Sequence, residues 1–229
     1  MTTEEYFGDW IDVLDSKLLM IYRNWIMQLW LDNRSFEPEP SKIFKAFRLC
    51  KKSNCKVVII GQDPYPQHGV STGLAFGNNL KPDENPSPSL RVLENSIQSL
   101  YPSVKNPIFD YSLETWAKQG ILLLNSALTV HTGIPGSHQR YWGRFIESFV
   151  SRFSESNPNI FWILFGKSAE LLESQIKCKN GNVVKEYHPA YYARTQTEMS
   201  NKIWIRMLDY VRQHYGTTLK LFGEKQENT

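Results

Sequence analysis

The sequence predicts an α/β fold: a single domain with a central, mostly parallel, four-stranded sheet flanked by helices. Three observations lead there. Four short apolar runs occur: Val57–Ile60, Ile121–Leu124, Ile160–Phe165, and Val183-Val184 with its neighbours up to Tyr187. They are largely continuous rather than alternating, as strands covered on both faces require. Helix-period stretches lie between and after them, and strands alternating with helices argue for a parallel sheet.

The elements follow in order. Residues 9–30 place Trp10, Leu14, Leu18, Ile21, Trp25 and Leu29 at three- and four-residue steps, a helical stripe. Residues 41–50, with Ile43, Phe44, Phe47 and Leu49, predict a second, short helix. The first strand ends at Gly61. Residues 88–100 carry Leu90, Leu93, Ile97 and Leu100, with Ser87 placed to cap the helix and Pro88 in its first turn. Residues 139–153, 167–176 and 199–215 are also helix-like. No repeat or Gly/Ser-rich linker divides the chain, so residues 1–222 read as one domain and 223–229 as a polar, frayed tail.

Composition narrows the function classes. A chain of 229 residues buries a full core without staples. Apolar residues at 41% and charged residues at 21% exclude a wholly disordered chain or a fibre. No apolar run approaches the ~20 residues needed to cross a bilayer, so no membrane partner is expected. Met1-Thr2-Thr3-Glu4-Glu5 lacks the basic and apolar regions of a secretory signal. Cys50, Cys55 and Cys178 form no C-x-x-C pair and no disulfide framework, which points to a reducing compartment, the cytoplasm. The net charge of +3 suits a polyanionic partner without arguing for one. The aromatic content of 13% reads as a rich core.

In parallel sheets, ligands bind beyond the carboxyl ends of the strands. Gly61-Gln62-Asp63-Pro64-Tyr65-Pro66 follows the first run, Asn125-Ser126 the second, Gly166-Lys167-Ser168 the third and His188-Pro189 the fourth. An Asp, an amide and a His thus converge from three strands, a candidate active site. Gly166-Lys167-Ser168 is not a phosphate-binding loop, because G-x-x-x-x-G-K-S/T needs glycine where Phe161 stands. There is no G-x-G-x-x-G or H-E-x-x-H, no G-x-S-x-G directly follows an apolar run, and the five histidines are scattered. No metal and no cofactor are expected.

These residues carry a resemblance. Gly61–Pro66 resembles the water-activating motif of the family 1 uracil-DNA glycosylases. Gly73-Leu74-Ala75-Phe76 resembles their uracil-stacking segment, Pro88-Ser89-Leu90 their proline–serine DNA loop, and Leu122–Asn125 the strand with their uracil-reading Asn. His188-Pro189 is similar to the start of their catalytic-His and intercalation loop. The blocks run in family order over residues 61–189.

The resemblance implies release of uracil from DNA, single- or double-stranded, by hydrolysis of its glycosidic bond, the first step of base excision repair. It assigns catalysis to Asp63 and His188. It assigns uracil binding to Gln62, Tyr65, Phe76 and Asn125, with Tyr65 excluding the thymine methyl. DNA contact falls to Ser87, Pro88, Ser89, Pro189, Tyr191, Tyr192 and Arg194. A monomer is expected, and proteins that mimic DNA are known inhibitors in this family.

Two departures stand out. Pro66 replaces the usual His of the first motif. The usual His-Pro-Ser-Pro-Leu-Ser reads His188-Pro189-Ala190-Tyr191-Tyr192-Ala193, so the first Ser, a hydroxyl for a DNA phosphate, is missing and Tyr192 takes the place of the Leu wedge. Three other readings compete. A non-catalytic binding subunit on this fold is opposed by the intact Asp63, Asn125 and His188. A branch with different base selectivity is opposed by Asn125 and Tyr65, and an iron–sulfur branch by a count of three Cys where four are needed. An unrelated α/β hydrolase is opposed because its nucleophile elbow directly follows a strand, and none of the four apolar runs leads into one.

Overall fold

The computed structural model describes residues 3–81, 84–102, 107–177 and 182–223. The chain runs α1 (Thr3–Phe7), α2 (Ser16–Leu31), β1 (Phe36–Glu37), α3 (Lys45–Leu49), β2 (Val57–Gly61), α4 (Pro88–Gln98), α5 (Glu114–Lys118), β3 (Ile121–Asn125), β4 (Val130–His131), α6 (Gln139–Ser156), β5 (Phe161–Phe165), α7 (Lys167–Glu170), β6 (Val183–Glu186), α8 (Pro189–Thr195) and α9 (Lys202–Tyr215). Short 3₁₀ turns at Gly8–Trp10, Pro40–Lys42, Lys52–Asn54 and Leu171–Gln175 link some of them.

The expected sheet is present. Its strand order is β3-β2-β5-β6, and every pairing is parallel. Gly61 lies opposite Asn125, Ile60 opposite both Leu124 and Leu164, and Phe165 opposite Glu186. All four strands therefore end on one edge. The chain starts the sheet at β2, steps to β3 on one side and then to β5 on the other. The crevice where the order reverses opens beyond the end of β2. β2, β3 and β5 are buried along their whole length, which accounts for their unbroken apolar character.

Four differences from the sequence expectation have local causes. The helical stripe of residues 9–30 is split, because the Asp15 carboxylate accepts from the N–H groups of Lys17 and Leu18 and starts α2 at Ser16. The break resets the helical phase. Leu19, Tyr22 and Ile26 face inward, and Ile21 is exposed. The antiparallel ribbon of β1 and β4 pairs only Phe36 with His131 and Glu37 with Val130, too short to carry a period. The loop expected after His188 winds into α8. Gly223, assigned to the tail, exchanges two backbone hydrogen bonds of 2.9 Å with Ile108. Residues 224–229 and Cys178 lie outside the described residues.

Ser87 caps α4 as expected, its hydroxyl accepting from Leu90 N–H at 3.3 Å, with Pro88 behind it. The tryptophans are mainly core: Trp10, Trp116, Trp142, Trp162 and Trp204 are fully buried. Four of these five place the indole N–H on an oxygen, of Cys50, Leu221, Thr129 and Ser96 respectively. No helix among the described residues is long and apolar enough to cross a membrane.

Candidate active site

The floor of the site is Gly61, the last residue of β2. A Cβ there would lie 2.7 Å from Asn125 Oδ1 and 3.2 Å from two ring carbons of Phe76. Only a glycine lets that amide and that ring approach across the strand end. Asn125 is 7% exposed. Phe76 holds a left-handed backbone at φ +66°, an uncommon state for an aromatic residue. Flanking bonds fix it: Ala75 N–H donates to Leu123 O at 3.1 Å, and Tyr65 OH to Phe76 O at 3.1 Å. The Phe76 ring stands edge-on to Phe165, centroids 5.3 Å apart, and lies 5.5 Å from the His188 ring.

Asp63 is placed by the loop after β2. Gly136 N–H donates to its Oδ2 at 2.5 Å. Burial raises the carboxyl above its ordinary value, while the bonds from Gly136 and the Gln62 side chain pull the other way and lose. Three bonds tie this loop to the one after β3. Ser126 N–H donates to Gly61 O at 3.0 Å, Ser126 Oγ to Gln62 O at 2.7 Å, and Ala127 N–H to Gln62 O at 3.0 Å.

His188 caps α8. Its Nδ1 accepts from Ala190 N–H at 3.2 Å, which assigns the proton of the neutral ring to Nε2. Burial, and secondarily the Arg194 charge, lower its pKa from 6.5 to about 4. The ring is therefore a neutral N–H donor near pH 7. Gly166 makes room for it, since a Cβ there would sit 2.9 Å from His188 Cβ.

Tyr65 is held at both lone pair and proton. Its OH accepts from Ser87 Oγ at 2.7 Å while donating to Phe76 O, and burial pushes its pKa up to about 12. Ser87 N–H in turn donates to Asn78 Oδ1 at 2.6 Å.

The structure brings Gln62, Asp63, Tyr65, Phe76, Asn125 and His188 to one edge. It sorts the residues expected to meet DNA. Pro88, Tyr191 and Arg194 are exposed. Ser89 and Pro189 are buried, so their side chains shape the loops from within. Ser87 is half-buried and its hydroxyl is engaged by Tyr65 and Leu90. Tyr192, aligned with the wedge, is half-buried, and its OH donates to Glu186 Oε1 at 2.6 Å. Sequence reasoning did not find Gly136, Asn78, Ser126 or Glu186. The one signal for Gly136 was its place in the turn Gly133-Ile134-Pro135-Gly136.

Chemically, this set of groups suits a planar heterocycle. It offers a ring face, an amide with one donor and one acceptor side, a neutral N–H donor, and a carboxylate able to hold a water.

The comparisons with known proteins agree. The family model described as Uracil DNA glycosylase superfamily matches residues 47–212. The chain is 34% identical over 191 residues to a uracil-DNA glycosylase of varicella-zoster virus, covering 81% of this chain and 61% of the relative. It is 35% identical over 195 residues to one of Dictyostelium discoideum, covering 82% and 56%. It is 34% identical over 179 residues to one of Amoebophilus asiaticus, covering 77% and 79%. The chain thus spans less than two thirds of the length of the first two.

Among solved structures, the mimivirus uracil-DNA glycosylase superposes with a TM-score of 0.74 at 16% identity, covering 96% of this chain and 91% of the other. A mimivirus UNG variant in complex with UGI gives a TM-score of 0.73 at 16% identity, covering 96% and 94%. At such identities the likeness is one of fold. Together with the residues assembled over Gly61, the family match and the relatives place this chain in the uracil DNA glycosylase superfamily.

Proposed function

We propose that this chain is a uracil-DNA glycosylase. It hydrolyses the bond between uracil and deoxyribose in DNA, releases uracil, and leaves an intact abasic site that opens base excision repair. The observation that carries this reading is the meeting, at one sheet edge, of a buried amide, a buried aromatic ring, a neutral imidazole and a half-buried carboxylate.

The target nucleotide leaves the base stack before its sugar carbon is reached. The base then lies on Phe76, a contact of the kind worth ~1–3 kcal/mol. Asn125 pairs with N3–H and O4 of uracil. Cytosine presents the reverse order there and would leave buried polar groups unpaired. Tyr65, immobilised between Phe76 O and Ser87, occupies the space a C5 methyl would need.

As the glycosidic bond breaks, positive charge grows on the sugar and negative charge on the uracil. Ionised Asp63 stabilises the first and orients the attacking water, taking its proton. His188 Nε2–H donates to O2, where the second develops. A neutral imidazole suits this role, because it needs no desolvation of a cation. Water is the nucleophile and no metal takes part, so the product strand is not cut. Both single- and double-stranded DNA are substrates. The protein acts as a cytoplasmic monomer and is a target for DNA-mimicking inhibitor proteins.

The test is incubation with a uracil-containing oligonucleotide in EDTA, followed by alkali. Strand breaks at uracil positions are expected. No breaks, or breaks that return only with a divalent ion, would sink the reading.

A further inference from the structure

Three tyrosines surround His188, and they are not equivalent. Tyr187 precedes it, and Tyr191 and Tyr192 follow within the first turns of α8. Tyr192 packs against the core and its hydroxyl is bound to Glu186. The same carboxylate oxygen accepts Tyr187 N–H at 2.8 Å, so Glu186 fastens the turn that carries His188 from both sides. Tyr187 and Tyr191 are 61% and 40% exposed. Their rings stack on each other, centroids 4.7 Å apart and planes at 24°. The Tyr192 ring meets both edge-on, at 75° and 83°.

We propose that the stacked Tyr187–Tyr191 pair, rather than Tyr192, fills and stacks on the gap left in a duplex by the extruded nucleotide, and that Tyr192 is a positioning residue. This rests on the uracil-excision reading above.

The occupant follows from continuity and charge. The pair flanks His188 in sequence, and the His188 ring lies 5.5 Å from that of Phe76, on which the extruded base is proposed to rest. Removing a base leaves its neighbours without a stacking partner, and a flat ring restores one. Two rings already stacked lose little freedom when a base arrives, since aromatic side chains have few rotatable bonds. Arg194, exposed three residues beyond Tyr191 on the same short helix, supplies positive charge for a flanking phosphate. Tyr192 cannot reach the stack without giving up its bond to Glu186 and its packing.

The test has two arms. In the first, excision rates are compared on uracil in duplex and in single strands. Tyr191→Ala and Tyr187→Ala are expected to lose ~10-fold more on duplex than on single strands, the size of one base–aromatic contact. Tyr191→Phe and Tyr191→Trp are expected to keep the wild-type ratio, because stacking needs only the ring. Tyr192→Ala is expected to lower kcat by the same factor on both substrates.

In the second arm, 2-aminopurine is placed beside a non-hydrolysable 2′-fluorinated deoxyuridine in duplex. Its fluorescence is expected to be quenched by wild type and by Tyr191→Phe, and to stay bright with Tyr191→Ala. Equal losses on both substrates for Tyr191→Ala, or a ratio change confined to Tyr192→Ala, would overturn the proposal. The fluorescence arm needs no turnover. Absence of uracil release from single strands by wild type would therefore strike the functional reading alone, and quenching would still decide the tyrosines.

Discussion

The backbone N–H of Gly136 meets Asp63 Oδ2 at 2.5 Å, joining residues 73 positions apart in the chain. That bond aims the carboxylate and partly offsets the cost of burying it. The carboxyl still titrates above its ordinary value of 3.8, because burial outweighs the two hydrogen bonds. In the proposed mechanism Asp63 works only when ionised, so single-turnover rates should fall as pH drops through that raised pKa. Asp63→Asn should lower the neutral-pH rate ~10²–10⁴-fold and remove this acid limb. Stopped-time assays across the acid range, from below pH 3.8 up to neutrality, check both, and an acid limb at or below 3.8 would contradict the burial effect.

His188 provides a second titration. Its pKa of about 4 reflects burial first and Arg194 second. Arg194→Gln removes the nearby positive charge, so the His188 pKa should rise. It should remain below 6.5, since burial persists. Histidine NMR titration of the two proteins measures the shift directly, and no movement would detach Arg194 from His188.

The same depression links to stability. Below pH 6.5 the unfolded chain takes up a proton at this residue while the folded chain does not. The contribution of His188 is therefore full above pH 6.5 and fades as pH falls towards about 4. His188→Gln should flatten the slope of melting temperature against pH across that window. An unchanged slope would show that the imidazole is not held neutral.

The proposed mechanism rests base choice on Asn125 and Tyr65. Asn125→Asp should release cytosine, because a protonated carboxyl presents donor and acceptor in the reversed order. Tyr65→Ala should admit thymine by vacating the methyl position. It should also lower thermal stability, because Phe76 O and Ser87 Oγ lose a partner at ~1 kcal/mol each. Oligonucleotides carrying uracil, cytosine or thymine, read for abasic sites, separate these outcomes. Uracil release without any new base would remove both residues from base reading.

Gly61→Ala tests the floor of the slot. The new methyl would press on Asn125 Oδ1 and the Phe76 ring, moving both from their places. A displacement on that scale should cost ~10²-fold in kcat/KM, since small misplacements of this kind are amplified in rate. Circular dichroism should show the fold retained. Wild-type kcat/KM in Gly61→Ala would mean that the amide and ring do not need to meet there.

Much of this molecule is written in short segments. Val57–Ile60 and Ile121–Leu124 are apolar on every residue, as covered strands require, and chain direction then puts Asp63 and Asn125 at strand ends, while His188 follows Val183–Glu186, a run only half apolar. The helix at Ser87-Pro88 is equally local, since one hydroxyl and one fixed φ start it. The stripe through Trp10 and Ile21 misled because a single cap at Asp15 restarts the helical phase, a change of geometry that periodicity does not record. The ribbon of β1 and β4 has two residues in each strand and no pattern to read.

The sequence by itself determined which residue types gather at the sheet edge, because strand direction and strand ends follow from local hydrophobic pattern. Tertiary structure alone decided what each of them faces. The partner of Asp63 comes from a turn 73 residues away, the tautomer of His188 from the N–H of Ala190, and the Ser87 hydroxyl is turned inward by Tyr65. It also decided which tyrosine is free: Tyr192 is tied down by Glu186 while Tyr187 and Tyr191 stack in the open. Burial and hydrogen-bond partnership are properties of several segments packed together, and no one segment carries them in its own sequence.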